Sequence, residues 1–188
     1  MPLLSEFSLV GGTALALRYG HRISEDLDLF NHSEFDRQHI LDSLSEKYLK
    51  AFSYQETGFK KSLFCIINEV KVDLIYYPHQ RIRDTVQESG IVFYSDEDIA
   101  AMKVQATLGR AKKKDFWDIA LLLEKYGLEN IIQWHTEKFP NQMILISIPQ
   151  TITYFIEADE SQDPHCLLGL SWEDVKMKIR KAVREYLS

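Results

Sequence analysis

The stretch from Phe7 to Phe30, FSLVGGTALALRYGHRISEDLDLF, constrains this chain more than any other. An apolar run ends at Gly11-Gly12, a helical stretch follows, and an acidic segment closes the unit. These features predict a strand, a tight glycine turn, a short helix over Thr13 to Tyr19 stopped at Gly20, and a second strand. In that strand Asp26 and Asp28 alternate with Leu27 and Leu29. Side chains in a strand repeat every second residue, so both acids are expected on one face and both leucines on the other. Neighbouring carboxylates repel unless a positive group lies between them, and an oxygen-seeking divalent ion such as Mg²⁺ fills that role. Gly11 and Gly12 leave bare backbone N–H groups at a helix start, a setting that favours phosphate. A phosphate cradle beside a metal-binding acid pair points to nucleotide chemistry. The plainer alternative is a solvated sheet face beside an ordinary turn.

Further along, Ser33 to Leu49 has apolar residues near helical spacing, with Ser33 as the expected cap. Phe52–Thr57, Ser62–Ile67 and Val70–Tyr77 read as an antiparallel meander, and Ile91–Tyr94 as a further short strand. Asp73, set among apolar residues of the third run, is the third acid. On a strand beside the one carrying Asp26 and Asp28, it would approach the same ion. Three carboxylates around two Mg²⁺ ions suit in-line nucleotidyl transfer.

From Asp96 onward the pattern is helical, with Ser95 as a cap and helices expected to about Gly109, from Lys113 to Tyr126, and from Leu128 to Phe139. Pro149 begins another through about Ala158, and a capping-box sequence at Ser171 opens the last. The chain therefore reads as an α+β unit over residues 1–94 followed by a helical unit over 95–188. Lys103 and Arg110 lie seven apart on one helix face. Lys112, Lys113 and Lys114 cluster at the turn; Lys113 and Lys114 open the next helix, where dipole logic disfavours cations, which suggests anionic partners such as protein carboxylates or a phosphate chain, while a solvated basic turn is the favoured reading for Lys112 and Lys113. Asp115 and Asp118, three apart on the next helix, are candidates to orient Lys103 or Arg110. Arg22 and Ser24 flank the acid pair, either to bind triphosphate oxygens or to support the turn.

The bulk properties narrow the classes. A net charge of −6 over 188 residues argues against general nucleic-acid coating, though not against a local basic groove. Cys65 and Cys166 lack metal-ligand spacing, and the six histidines show no zinc pattern. With no apolar run long enough to cross a bilayer and no signal peptide, a cytoplasmic location is expected.

Gly11-Gly12-Thr13-Ala14-Leu15, Arg22-x-Ser24-x-Asp26-x-Asp28-Leu29-Phe30, and Lys103 with Lys114-Asp115-Phe116-x-Asp118 resemble the AbiEii/AbiGii toxin family of nucleotidyltransferases. Thr153-Tyr154-Phe155-x-Glu157-Ala158-Asp159, Pro164 and Ser171-Trp172 extend the resemblance, less specifically, into the C-terminal part. The resemblance implies a DNA polymerase β-like nucleotidyltransferase fold, a mixed β-sheet with flanking helices followed by a helical C-terminal part. It implies Mg²⁺, an NTP donor, tRNA or another RNA as acceptor in some members, and a winged-helix antitoxin as partner. Within it, Gly11 and Gly12 match the phosphate turn, Asp26 and Asp28 the metal pair, Lys103 the conserved lysine and Asp118 the late aspartate, while Asp73 matches the broader superfamily's third acid. Read from the residues, Asp73 completes the metal site, Thr13 joins the phosphate cradle, Lys103 neutralises developing charge, and Arg22, Ser24, Arg110 and Asp118 lie on the nucleotide side. Other readings stay open: transfer to a small hydroxyl compound or to a protein side chain, an inactive module that only binds nucleotide or a partner, and a dedicated nucleic-acid binder.

Overall fold

The computed structural model describes residues 4–109, 112–143 and 145–188. Among the described residues, seven strands form one mixed sheet: β1 (Ser8–Leu9), β2 (Leu27–Asn31), β3 (Phe52–Gln55), β4 (Ser62–Ile67), β5 (Val70–Tyr76), β6 (Val86–Glu88) and β7 (Ile91–Phe93). Their spatial order is β3-β4-β5-β2-β1-β7-β6. The β3–β4–β5 meander is antiparallel, whereas β2 runs parallel to β5 and antiparallel to β1.

The helix α1 (Gly11–Tyr19) ends at Gly20, whose φ of 59° lets its N–H reach back to the Ala16 carbonyl. The next helix, α2 (Arg37–Tyr48), starts later than expected. Asp36, not Ser33, caps it, accepting from the His39 backbone N–H at 3.0 Å. Asp36 sits where a side-chain oxygen meets the third helical amide; Ser33 lies outside that turn. Strand β6 was not anticipated. It forms a hairpin with β7 through Ser89-Gly90, whose φ values of 50° and 81° match the right-handed twist of the paired strands.

The helix α3 (Asp96–Gly109) leads into α4 (Lys113–Lys138). Both helices expected on either side of Gly127 are present within α4, separated where Gly127 leaves the helical path with φ 75° and ψ 162°. The single helix expected after Pro149 is divided into α5 (Ile148–Ile152) and α6 (Ile156–Asp159), with Thr153 to Phe155 between them. Finally α7 (Trp172–Leu187) opens with the expected box, Ser171 and Asp174 exchanging side-chain and backbone hydrogen bonds.

Two apolar clusters hold these layers. On one face of the sheet, Ile40, Leu41 and Leu44 of α2 meet Leu63, Cys65, Val72 and Leu74. On the other side Leu9, Val10, Ala14, Leu15, Phe93 and Tyr94 share one core with α3, α4 and α7. That second cluster crosses residue 94, so the helices pack directly onto the elements that carry the glycine turn. Trp172 stacks on Trp117 with ring centroids 5.4 Å apart and meets Phe116 and Phe155 edge-on.

Candidate active site

The parallel pairing of β2 with β5 sets the site. Asp28 lies directly opposite Asp73 in register, so both side chains leave the sheet on the same face. Asp28 is held above the usual carboxylate range, first by burial and then by the charge of Asp73. Among the described residues no hydrogen-bond partner reaches the buried Oδ1 of Asp73, while Oδ2 accepts from Lys71 Nζ at 2.6 Å. Two carboxylates that repel, one with a buried oxygen left over, form an acceptor-rich edge that Lys71 and Lys103 only partly offset.

Asp26 falls just before β2, on the loop leading into it. It is half-exposed, with Lys114 Nζ 3.6 Å from its carboxylate. The side-chain alternation expected for an Asp-x-Asp strand is thus realised by Asp28, with Asp26 at the strand's mouth. Among the described residues, no group of three or more His, Cys, Asp or Glu side chains is arranged to hold a metal ion. The carboxylates present fit a divalent cation as a partial donor set, with Asp28 and Asp73 at its centre.

The start of α1 faces this edge. Gly11 has φ 70°, and a Cβ placed there would lie 3.2 Å from Asp28 Oδ2, so a side chain would crowd the carboxylate. The preceding Val10 N–H donates to the Asp28 carbonyl at 2.9 Å, locking turn to strand. Among the described residues no side chain caps α1, and its first turn holds no acid. Its leading N–H groups suit an incoming anion. Thr13 and Ser24, both expected at the nucleotide, share a hydroxyl hydrogen bond of 2.8 Å, and Thr13 also donates to the Asp26 carbonyl. These contacts pin the Ser24–Asp26 loop against α1.

Behind the turn lies a buried ionic hub. Asp118, fully buried, accepts from Arg22 Nε at 2.7 Å and Nη2 at 2.8 Å, and pairs with Lys103 Nζ at 2.6 Å and His21 Nε2 at 2.7 Å. Lys103 also donates to Asp115 at 2.9 Å. Burial alone would raise the Asp118 pKa, but Lys103, His21 and Arg22 reverse that and hold it far below the carboxylate range. Burial likewise opposes the charge on Lys103, yet Asp118 and Asp115 raise its pKa. Lys103 is close enough to Asp28 to favour that carboxylate's charged form. Gly12 sits against this hub: a Cβ there would lie 2.0 Å from Arg22 Nη2 and 3.1 Å from Asp118 Oδ2.

The structure therefore brings Gly11, Gly12, Thr13, Ser24, Asp26, Asp28, Asp73, Lys103 and Asp118 to one end of the sheet. Arg22 is present too, but its guanidinium is engaged by Asp118 beneath the turn, the supporting role of the two considered for it. Arg110 lies outside the described residues. Sequence reasoning missed His21 in the hub and Lys71 on Asp73. The second was readable, since Lys71 is two residues from Asp73 on one strand and must share its face. A groove of about 570 Å³ opens beside Asp26, walled by Ser24, Lys112, Lys114, Gln162 and His165. Its far wall is tied to the segment leading into the Ser24–Asp26 loop by backbone hydrogen bonds, Ile23 N–H to the His165 carbonyl and Leu167 N–H to the His21 carbonyl.

A glycine turn at a helix start, facing strand-borne carboxylates on a mixed sheet, defines the nucleotidyltransferase class. Known structures share the fold. MenT4, the nucleotidyltransferase toxin Rv2826c of Mycobacterium tuberculosis H37Rv, superposes with a TM-score of 0.63 at 11% identity, over 95% of this chain and 74% of that one. JHP933 of Helicobacter pylori superposes with a TM-score of 0.59 at 18% identity, over 97% and 84%. An uncharacterized protein of Aquifex aeolicus (strain VF5), aq_aa25, is 31% identical over 98% of this chain and 90% of its own length. The family described as nucleotidyl transferase AbiEii toxin, type IV toxin–antitoxin system, matches residues 2–139. The chain belongs to the AbiEii family and is a nucleotidyltransferase.

Proposed function

We propose that this protein transfers a nucleoside monophosphate from an NTP to an acceptor hydroxyl with Mg²⁺, acting as the toxin of a toxin–antitoxin pair, with RNA as acceptor. Support comes above all from the in-register Asp28–Asp73 pair, whose carboxylates repel and face the start of α1. The backbone N–H groups of Gly11, Gly12 and Thr13 receive the triphosphate. Asp28 and Asp73, with Asp26 at the mouth, would hold Mg²⁺, which supplies charge neutralisation on the triphosphate. The acceptor oxygen forms a bond to the α-phosphorus as the bond from that phosphorus to pyrophosphate breaks. Asp73, with its free Oδ1, takes the hydroxyl proton. Lys103 places a fixed positive charge near Asp28, where negative charge builds up, and Asp118 holds Lys103 there. A winged-helix antitoxin is the partner this reading implies.

The experiment is transfer of label from each NTP into total RNA and into protein, by wild type, Asp28→Ala and Asp73→Ala. Transfer by wild type alone, with both variants folded, is expected. Equal labelling by wild type and Asp28→Ala would overturn the reading.

A further inference from the structure

The strand register builds a second surface beside Asp73. Across the sheet, Asp28, Asp73, Phe64 and Gln55 stand opposite one another in a single row. Two residues along, Lys71, Ile66 and Ser53 form the next row on the same face. The reverse face of these strands is closed by α2. The row face is open, with Ile66 at 47% exposure and a shallow depression of about 240 Å³ over Gln55, Phe64, Ile66, Lys71 and Asp73. Beyond Phe64 the β3–β4 turn carries Phe59, 69% exposed, its ring centroid 6.2 Å from that of Phe64, and then Lys60 and Lys61, the latter in an exposed ion pair with Glu34. Strand faces turned to water normally carry polar residues; here an aromatic pair and an isoleucine lie next to a carboxylate with an orphaned oxygen.

We infer that this face is the acceptor platform, and that it takes the terminal nucleotide of a single-stranded RNA end, its base against Phe64 and its hydroxyl at Asp73. The inference rests on the nucleotidyl-transfer reading above. The triphosphate enters from the α1 side of Asp28, so an in-line acceptor comes from the Asp73 side, where this platform lies. Any base offers a π face to an aromatic ring, and cations beside the ring suit the adjoining phosphates. Lys71 is placed to meet those phosphates. Its ammonium lies on Asp73 Oδ2, and its half-exposed stem leaves it free to turn outward. A protein side chain as acceptor would bring no phosphates to the cations and is the competing outcome.

The test uses the full chain and a short single-stranded RNA oligomer with a free 3′ hydroxyl, read by fluorescence anisotropy. Phe64→Ala is expected to weaken RNA binding about tenfold. Phe64→Trp should retain it. NTP affinity and thermal unfolding should match wild type in both variants, which a merely structural role for Phe64 would not permit. Unchanged RNA binding by Phe64→Ala, or no RNA binding by wild type, overturns the platform. So does NTP label entering protein rather than RNA. Loss of RNA binding in Phe64→Ala without transfer to any acceptor by wild type overturns the transfer reading and leaves the platform standing.

Discussion

Gly12→Ala separates helix propensity from site architecture, because the two predict opposite signs. Gly12 lies in the first turn of α1 and does not need a left-handed backbone, so propensity alone favours alanine by up to about 1 kcal/mol. The structure opposes this. The new methyl would lie 2.0 Å from Arg22 Nη2, and that guanidinium is buried and held by two hydrogen bonds to Asp118. It must leave. Disrupting a buried ion pair costs about 3–5 kcal/mol, and Lys103 and His21 still compensate Asp118, so the lower end applies. The net loss is about 2 kcal/mol, or about 4–8 °C in Tm for a chain of this size. Thermal and urea unfolding of Gly12→Ala, Arg22→Ala and the double variant give the assay. The double variant should be no less stable than Arg22→Ala, because the clash has gone. A Gly12→Ala protein as stable as wild type, or one whose loss adds fully to that of Arg22→Ala, would refute the packing argument.

Two further outcomes follow from the charges. Asp28 is pushed up by burial and by Asp73, so folding favours its protonated form and stability falls as pH rises through its folded value. Asp28→Asn should therefore unfold at the same or a higher temperature than wild type at pH 8 with chelator, while losing transfer; a clear drop in Tm would contradict this. Asp118 is held far below the usual range, so its contribution is present above about pH 4, its unfolded value, and lost as pH falls toward the folded one. Asp118→Asn should flatten the acid limb of the Tm–pH profile below about pH 5 and lower Tm at neutral pH. A limb as steep as that of wild type would count against the assignment.

Much of the site could be read before the structure because its signals are local. The glycine turn, the acid pair and the alternation around Asp73 are each set by a few adjacent residues and by the two-residue period of a strand. The Ser171 capping box and the break at Gly127 were legible for the same reason. The hidden parts depend on partners distant in sequence. Nothing near Arg22 says that its guanidinium turns inward to Asp118, so a phosphate and a buried carboxylate were equally good targets. Asp26 and Asp28 look equivalent in sequence, but only Asp28 enters the paired strand. The Ser89-Gly90 turn did carry a local signal for the β6–β7 hairpin, weakened by how short both flanking runs are.

The ties between the catalytic loop and the segment around Cys166 join residues 145 positions apart, with Cys166 Sγ reaching the His21 carbonyl at 3.7 Å. A growing polypeptide can form the glycine turn early, yet one wall of the groove arrives only after most of the helical part has been made. An unfinished product lacks the edge that steadies the loop bearing Ser24 and Asp26.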